Sequence, residues 1–360
     1  MNKHHYVVIM AGGIGSRFWP MSRTNFPKQF LDILNIGKTL IQTTFERFAS
    51  FIPIENIYVV TSNEYVDIVK DQLPLLPVKN ILAEPSRKNT APCIAYTAFK
   101  LRQLDSQAKM IVAPADHLVT DNIAFTKVCL EALGFVNEHN ALVTLGINPT
   151  HPNTGYGYIQ YEQQSVSDNV YKVKTFTEKP NLELAKTFVA SGEFLWNAGI
   201  FVWKAKNIIQ AFEQYLPEVY DLFVAQKEKL NTPEEEEALL QIYPFSTNIS
   251  IDFGIMEKAN NVYVIPSSFG WSDLGAWNSA YENLQKDENA NAFIGPNFML
   301  VDTANCILHA PDNKLVVVQG LDNFIIVDSG DVLLICKKEK EQEIKDLVSD
   351  VKRQKGDKFL

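Results

Sequence analysis

Gly12, Gly13 and Gly15 lie in the run Ala11-Gly-Gly-Ile-Gly15; Arg17 follows, and Lys28 stands eleven residues beyond it. Glycines let backbone N–H groups approach an anion closely, and two cations can neutralise phosphate charge. The chemistry this suggests is the handling of a phosphate group. The loop is not a Walker A loop, because no Gly-Lys-Ser/Thr ending follows. Nor is it a dinucleotide fingerprint, because the third glycine position of G-x-G-x-x-G holds Phe18. The glycines alone could serve only a tight strand–helix turn; Arg17 and Lys28 at this spacing favour phosphate.

Other reactive side chains are scattered through short strings. They are Glu84-Pro-Ser-Arg-Lys-Asn-Thr-Ala-Pro92, Pro114-Ala-Asp-His117, Phe176-Thr-Glu-Lys-Pro180, Trp196-Asn-Ala-Gly-Ile-Phe201 and Trp271-Ser-Asp-Leu-Gly275. Read alone, Asp116 and Asp273 are turn or capping aspartates, and Glu84 is an ordinary strand-end carboxylate. Trp196, Trp203 and Trp271 read as packing aromatics.

These residues need elements to hold them. From residue 1 to about 145, strand-like runs (Val7–Met10, Ile57–Thr61, Met110–Ala113) alternate with helical stretches (Leu40–Phe48, Glu64–Gln72, Cys93–Leu104). That alternation predicts a parallel sheet flanked by helices, with ligands at the carboxyl ends of its strands. The middle of the chain predicts strands near Ile159 and over Val170–Thr177, helices over Leu182–Ser191 and Ala205–Leu230, and a helix start in the acidic run Glu234–Glu237. After Asp287 come short β runs, Phe298–Val301, Cys306–Leu308, Leu315–Val318, Phe324–Val327 and Val332–Ile335, then a charged helix over Lys338–Lys352. No repeat among them is strong enough to establish a β-helix.

The 360 residues carry a formal charge of -9, with 46% hydrophobic and 21% charged residues. That describes a globular chain and argues against nucleic-acid binding through a broad basic face. Cys93, Cys129, Cys306 and Cys336 form no C-x-x-C pair, so buried thiols in a reducing compartment are expected. No signal-peptide core or membrane-length segment stands out, so a cytoplasmic protein without membrane partners is expected.

The six motif strings, in this order over about residues 5 to 285, resemble the sugar-1-phosphate nucleotidylyltransferases, and most of all the guanylyl-specific members that act on mannose 1-phosphate. The resemblance implies an α/β, Rossmann-like fold: a mixed, mostly parallel sheet flanked by helices, of the nucleotide-diphospho-sugar transferase type. It implies a catalytic domain over 1–287 and a small β-rich C-terminal domain over 288–360. The implied reaction is Mg²⁺-dependent transfer of GMP from GTP to α-D-mannose 1-phosphate. Arg17 would hold the leaving pyrophosphate and Lys28 would lie by the α-phosphate, with Gly12, Gly13 and Gly15 cradling the nucleotide. Glu84, Asn89 and Thr90 would read the base. Gly157, Glu178, Lys179 and Asn197 would take the sugar phosphate, and Asp116 and Asp273 would hold Mg²⁺. The same reaction with another sugar phosphate or nucleotide, or a catalytically silent sugar-nucleotide-binding subunit, are the alternative expectations. Some bacterial relatives carry an isomerase domain of cupin type; without a His-rich pattern here, no isomerase activity is expected. The C-terminal strands could mediate a homodimer.

Overall fold

The computed structural model describes residues 2–360, which divide into two compact units. Unit 1 takes the chain up to Gly12, then Phe45–Pro114 and Val119–Trp271; unit 2 takes Gly13–Thr44, Ala115–Leu118 and Ser272–Leu360.

Unit 1 is built on a nine-stranded sheet in the order β3-β2-β1-β4-β9-β6-β10-β8-β7. Its strands are β1 (His5–Met10), β2 (Ile57–Ser62), β3 (Ile81–Glu84), β4 (Lys109–Pro114), β6 (Leu142–Ile147), β7 (Tyr158–Ser167), β8 (Val170–Thr177), β9 (Phe194–Lys204) and β10 (Val262–Ser267). Two-residue strands, β5 (Leu118–Val119) and β11 (Trp271–Ser272), sit where the chain passes from one unit to the other. The β1–β2, β2–β3, β1–β4 and β6–β10 pairings are parallel, and β9 runs antiparallel to both β4 and β6. All strands but β8 and β9 therefore point one way. β1 and β2 are apolar on both faces because helices cover both sides of the sheet: Val7, Val8, Ile9, Val59 and Val60 are fully buried.

The flanking helices are α1 (Leu40–Ala49), α2 (Val66–Gln72), α3 (Thr90–Leu104), α4 (Asn122–Glu138), α5 (Leu182–Ser191), α6 (Ala205–Tyr215), α7 (Pro217–Gln226) and α8 (Glu235–Ile242). α1 begins in unit 2 and ends in unit 1. Asp121 caps α4 by accepting from the N–H groups of Ile123 and Ala124, and Asn181 caps α5 at Leu184 N, 2.9 Å away. The single helix expected over Ala205–Leu230 is two helices and a short 3₁₀ turn. Pro217 has no N–H to continue α6 but suits the first position of α7.

In unit 2 the strands after α9 (Trp277–Asn283) wind as a short parallel β-helix. They are β12 (Ala292–Ile294), β13 (Phe298–Val301), β14 (Ile307–His309), β15 (Val316–Gln319), β16 (Phe324–Asp328) and β17 (Leu333–Lys337). β12, β14 and β16 stack in parallel on one face, β13 and β15 on another, and β17 closes antiparallel to β16. The charged C-terminal helix is a 3₁₀ turn over Lys338–Glu343 followed by α10 (Ile344–Lys355). The boundary expected after Asp287 falls inside this unit. The core of unit 2 gathers Phe18, Trp19, Ile33 and Leu40 from the N-terminal segment with Trp277, Ile307, Ile325 and Val327. The Trp19 indole N–H donates to Phe359 O (2.8 Å), and Arg23 pairs with Asp331 (2.6 Å). No helix among the described residues is long and apolar enough to cross a membrane.

Candidate active site

In unit 2 the side chain that organises the candidate residues is Lys28. It is only 4% exposed, and its ammonium group meets three oxygens: Asp116 Oδ2 at 2.9 Å and the backbone carbonyls of Asp273 and Leu274, each at 2.8 Å. An ammonium has three hydrogens, so this set satisfies it. Lys28 thus ties the 115–118 segment to the 273–274 turn and brings Asp116 and Asp273 to one place. Burial alone would push the Asp116 carboxyl upward; Lys28, and after it His117, overcome this and hold it below the usual carboxylate range. Asp273 turns back on its own loop, where Oδ1 accepts from Gly275 N at 2.9 Å.

The glycine loop is shaped to this lysine. Gly15 has φ +62°, and a Cβ there would stand 2.4 Å from Lys28 Cβ, so no other residue fits without moving the backbone. Gly13 is open, with nothing within 4 Å of such a Cβ, while its carbonyl accepts from Gln29 Nε2 at 2.9 Å. Arg17 lies in a one-turn 3₁₀ helix, Ser16–Phe18, and its Nε is buried with no hydrogen-bond partner among the described residues. A guanidinium N–H left this way is a group awaiting an acceptor.

Unit 1 holds the remaining candidates in two groups. Glu84 ends β3, is 7% exposed, and accepts from Tyr243 Oη at 2.8 Å. A Cβ at Gly12 would lie 3.6 Å from its other oxygen. Burial pushes the Glu84 carboxyl up to about 7, and the Tyr243 hydrogen bond offsets only part of that. Asn89 and Thr90 stand at the start of α3. Asn89, at φ +67°, caps α3 by accepting from Thr90 N, and the Thr90 hydroxyl accepts from Ile251 N at 2.8 Å.

The second group follows from sheet register. Tyr158 pairs with Thr177 on β8 and with Trp196 on β9, so Gly157, Glu178 and Asn197 are neighbours. A Cβ at Gly157 would come 2.6 Å from Glu178 Oε2 and 3.4 Å from Asn197 Cβ. Lys179, at φ +45° and with a largely exposed side chain, pairs with the buried Glu178 carboxylate. Asn197 Nδ2 donates at 3.0 Å to Asp252, a residue that no sequence motif singled out. Asp252 opens a π-helical turn, Asp252–Met256; burial, then the charge of Glu178, raises its carboxyl to about 7. An acid between Ile251 and Phe253 in an apolar run was its one sequence signal.

Of the tryptophans, Trp203 is fully buried in the core, whereas Trp196 and Trp271 each pack edge-on against Tyr156 in the glycine turn, at 5.0 and 5.2 Å. An open groove of about 820 Å³ elsewhere on unit 1, lined by Phe99, Arg102, Lys206 and Tyr220, holds none of the candidate residues.

Comparison with known proteins gives these sites a family. Residues 6–290 match the Nucleotidyl transferase family, and residues 296–351 match the MannoseP isomerase/GMP-like beta-helix domain. The chain is 36% identical over 354 residues to Alginate biosynthesis protein AlgA of Pseudomonas putida, covering 96% of this chain and 71% of that protein. It is 35% identical over 358 residues to Mannose-1-phosphate guanylyltransferase of Escherichia coli, covering 96% and 73%. Among solved structures, a Thermus thermophilus protein described as mannose-1-phosphate geranyltransferase superposes with TM-score 0.87 at 29% identity, over 97% of this chain and 99% of that one. Mannose-6-phosphate isomerase of Helicobacter pylori shares the fold, at TM-score 0.61 and 24% identity over 75% of this chain and 99% of that one. The chain therefore belongs to the nucleotidyl transferase family, and is a nucleotidyltransferase with a C-terminal β-helix domain.

Proposed function

We propose that the protein is a mannose-1-phosphate guanylyltransferase that converts GTP and α-D-mannose 1-phosphate to GDP-mannose and pyrophosphate. The observation that carries the reading is the Gly157–Glu178–Lys179–Asn197 group. It offers the buried Glu178 carboxylate as an acceptor for sugar hydroxyls and an exposed ammonium for a phosphate. It does so in a chain 35% identical to a relative of that name.

A phosphate oxygen of the sugar phosphate attacks the α-phosphorus of the nucleotide in line, a new P–O bond forms, and the bond to the pyrophosphate oxygen breaks. The nucleophile is already an anion, so no residue needs to take a proton from it. The barrier is repulsion between polyanions, and fixed positive groups lower it. Arg17, with its unpartnered Nε, is suited to the leaving pyrophosphate. For Lys28 to reach the α-phosphate it must exchange one of its three protein oxygens for a phosphate oxygen. Glu84, when ionised, accepts from the N1 and N2 donors of guanine.

Asp116 and Asp273 fit a Mg²⁺ ion. Both are hard oxygen donors, Lys28 keeps Asp116 ionised, and among the described residues no third His, Cys, Asp or Glu joins them. Two carboxylates with the rest of the shell from phosphate and water is the pattern this ion takes. Bound there, Mg²⁺ would neutralise charge on the phosphates.

The test is pyrophosphate release across a panel of nucleoside triphosphates and sugar 1-phosphates, with Mg²⁺. GTP with mannose 1-phosphate is expected to give the highest kcat/KM. Equal use of all nucleotides would remove the guanylyl assignment, and GDP-mannose binding without turnover would leave a silent binding subunit.

A further inference from the structure

Arg17 is carried by a single 3₁₀ turn, Ser16–Phe18, that follows the glycine run. The turn's own backbone hydrogen bonds, Phe18 N to Gly15 O and Trp19 N to Ser16 O, are both 3.2 Å, at the long end of the normal range. A turn this short and this weakly bonded takes its direction from what it packs against.

Its supports come from the far end of the chain, all within unit 2. Phe18 is fully buried, and its ring lies 5.0 Å from that of Trp277 on α9. Trp277 Nε1 donates to Trp19 O at 3.4 Å, and Glu341 steadies the start of α9 by accepting from Asn278 N at 2.8 Å. α10 packs on the Ser16–Phe18 turn itself, with Val348 and Val351 against the cluster that holds Phe18 and Trp19. Trp19 Nε1 donates to Phe359 O at 2.8 Å. Ser22 closes the loop on itself, its N–H bonded to Phe18 O at 3.0 Å and its hydroxyl to Ile14 O at 2.9 Å.

Arg23 has the residue type of a third phosphate cation, but its guanidinium is committed to protein oxygens. Nε donates to Pro20 O at 2.6 Å, and Nη2 donates to Ser329 Oγ at 2.9 Å and to Asp331 Oδ1 at 2.6 Å. Ser329 and Asp331 belong to the turn between β16 and β17 of the β-helix. Arg23 is mostly buried, whereas Asp331 is half-exposed. A pair with one exposed member adds little to stability. What it fixes is the place of the 20–23 stretch, and with it the 3₁₀ turn, on the β-helix.

We infer that Arg23 is a positioning residue and not a phosphate ligand: held by Asp331, and aided by the Trp19–Phe359 hydrogen bond, it sets the direction of the turn that presents Arg17. The β-helix thereby supports the step in which pyrophosphate leaves. The inference rests on the pyrophosphate role proposed for Arg17 above.

The test measures wild type, Asp331→Ala, Arg17→Ala and the double variant in both directions of the reaction. Asp331→Ala is expected to lower kcat by about 10-fold and to raise the KM for pyrophosphate in the reverse direction by about 10-fold, since small misplacement of a catalytic group is costly. The KM for mannose 1-phosphate should stay within about 2-fold, and the urea midpoint should not move. Adding Asp331→Ala to Arg17→Ala should change kcat by less than about 2-fold, because both act through one guanidinium. Asp331→Glu keeps a carboxylate for Arg23 and should hold kcat within about 3-fold of wild type. Multiplicative losses in the double variant, or wild-type kcat and pyrophosphate KM in Asp331→Ala, overturn the inference. So does an Arg23→Ala loss that exceeds that of Asp331→Ala and survives in the Arg17→Ala background, which would make Arg23 a phosphate ligand. Should Asp331→Ala not fold, Trp19→Phe decides: it removes the N–H that reaches Phe359 and keeps a ring, and losses independent of Arg17→Ala are equally fatal there. Wild-type kinetics in Arg17→Ala would instead remove the pyrophosphate reading itself, whereas a loss there without one in Asp331→Ala overturns the positioning role alone.

Discussion

Replacing Glu84 with glutamine removes a carboxyl group that the fold holds well above its usual range. Burial raises it to about 7 from a reference of 4.5, and the group is only 7% exposed, so solvent screening takes little from the effect. A carboxyl raised in the folded state binds its proton more tightly there than in the unfolded chain. Its contribution to stability is present below about pH 4.5 and is lost as pH rises through about 7. A difference of that size is worth about 3 kcal/mol. Glutamine can still accept from Tyr243 but carries no charge. Glu84→Gln should therefore match wild type near pH 4 and gain on it by about 3 kcal/mol by pH 8. Urea unfolding of both proteins from pH 4 to 8 measures the difference. Parallel curves, or a glutamine variant less stable at pH 8, would refute the electrostatic argument. The functional arm runs the other way. An ionised carboxylate accepts from both guanine donors, whereas glutamine turns an amide donor toward one of them. Discrimination of GTP over ATP should fall by about 100-fold in the variant. In wild type the KM for GTP should rise below pH 7 as Glu84 takes its proton, and in the variant it should not. Equal loss for all nucleotides would show that Glu84 does not read the base.

Lys28→Met leaves Asp116 and two carbonyls without their cation; the expected cost is about 3–5 kcal/mol in urea unfolding, with part recovered in the double variant with Asp116→Asn. A loss under about 1 kcal/mol would show that the lysine is not the tie described. Gly15→Ala meets both a left-handed backbone and a 2.4 Å clash, so it should cost about 2 kcal/mol or more. Gly13→Ala, with open space around it, should unfold like wild type yet raise the KM for GTP if its backbone approaches the nucleotide; identical unfolding of the two variants would contradict the geometry. Asp273→Asn should lower kcat by about 100-fold or more and shift the Mg²⁺ requirement upward, at an unchanged unfolding midpoint. Near-normal kcat at low Mg²⁺ would remove Asp273 from the metal site.

The strands that could be read from sequence were those with their own periodic signal. β1, β2, β4 and β8 are dense in β-branched residues, and each lies within about two residues of its expected span. The place of β9 was not legible. Its residues look like a motif around Asn197, and only pairing with β4 and β6, far off in sequence, makes it a central antiparallel strand. The same limit hid the β-helix, because parallel coils pair residues some eighteen positions apart, as Phe298 does with Val316, without repeating any residue type. It also hid the union of segment 13–44 with the C-terminal strands, whose contacts span hundreds of residues. Among the candidate residues, side-chain identities were legible and commitments were not. Lys28 reads as a free cation, yet two of its partners are backbone carbonyls, which no residue type announces. Asn197 reads as a ligand until Thr144 and Gly199 are seen to occupy its oxygen.

The kind of partner decides what burial does to a carboxylate here. Asp116, Glu84 and Asp252 all suffer desolvation, and for each it is the largest influence. Asp116 meets an ammonium, whose charge and hydrogen bond together with the charge of His117 outweigh desolvation, so it stays ionised. Glu84 meets a phenol and Asp252 an amide. Neutral donors return only part of what water supplied, and both acids rise to about 7. A permanently ionised carboxylate suits a metal ion, which needs charge without a competing proton. A carboxylate short of donors suits a neutral ligand rich in N–H or O–H groups, because each donor it brings favours the ionised form and tightens its own binding. The response of each of the three acids to burial thus follows from the side chain the fold sets beside it.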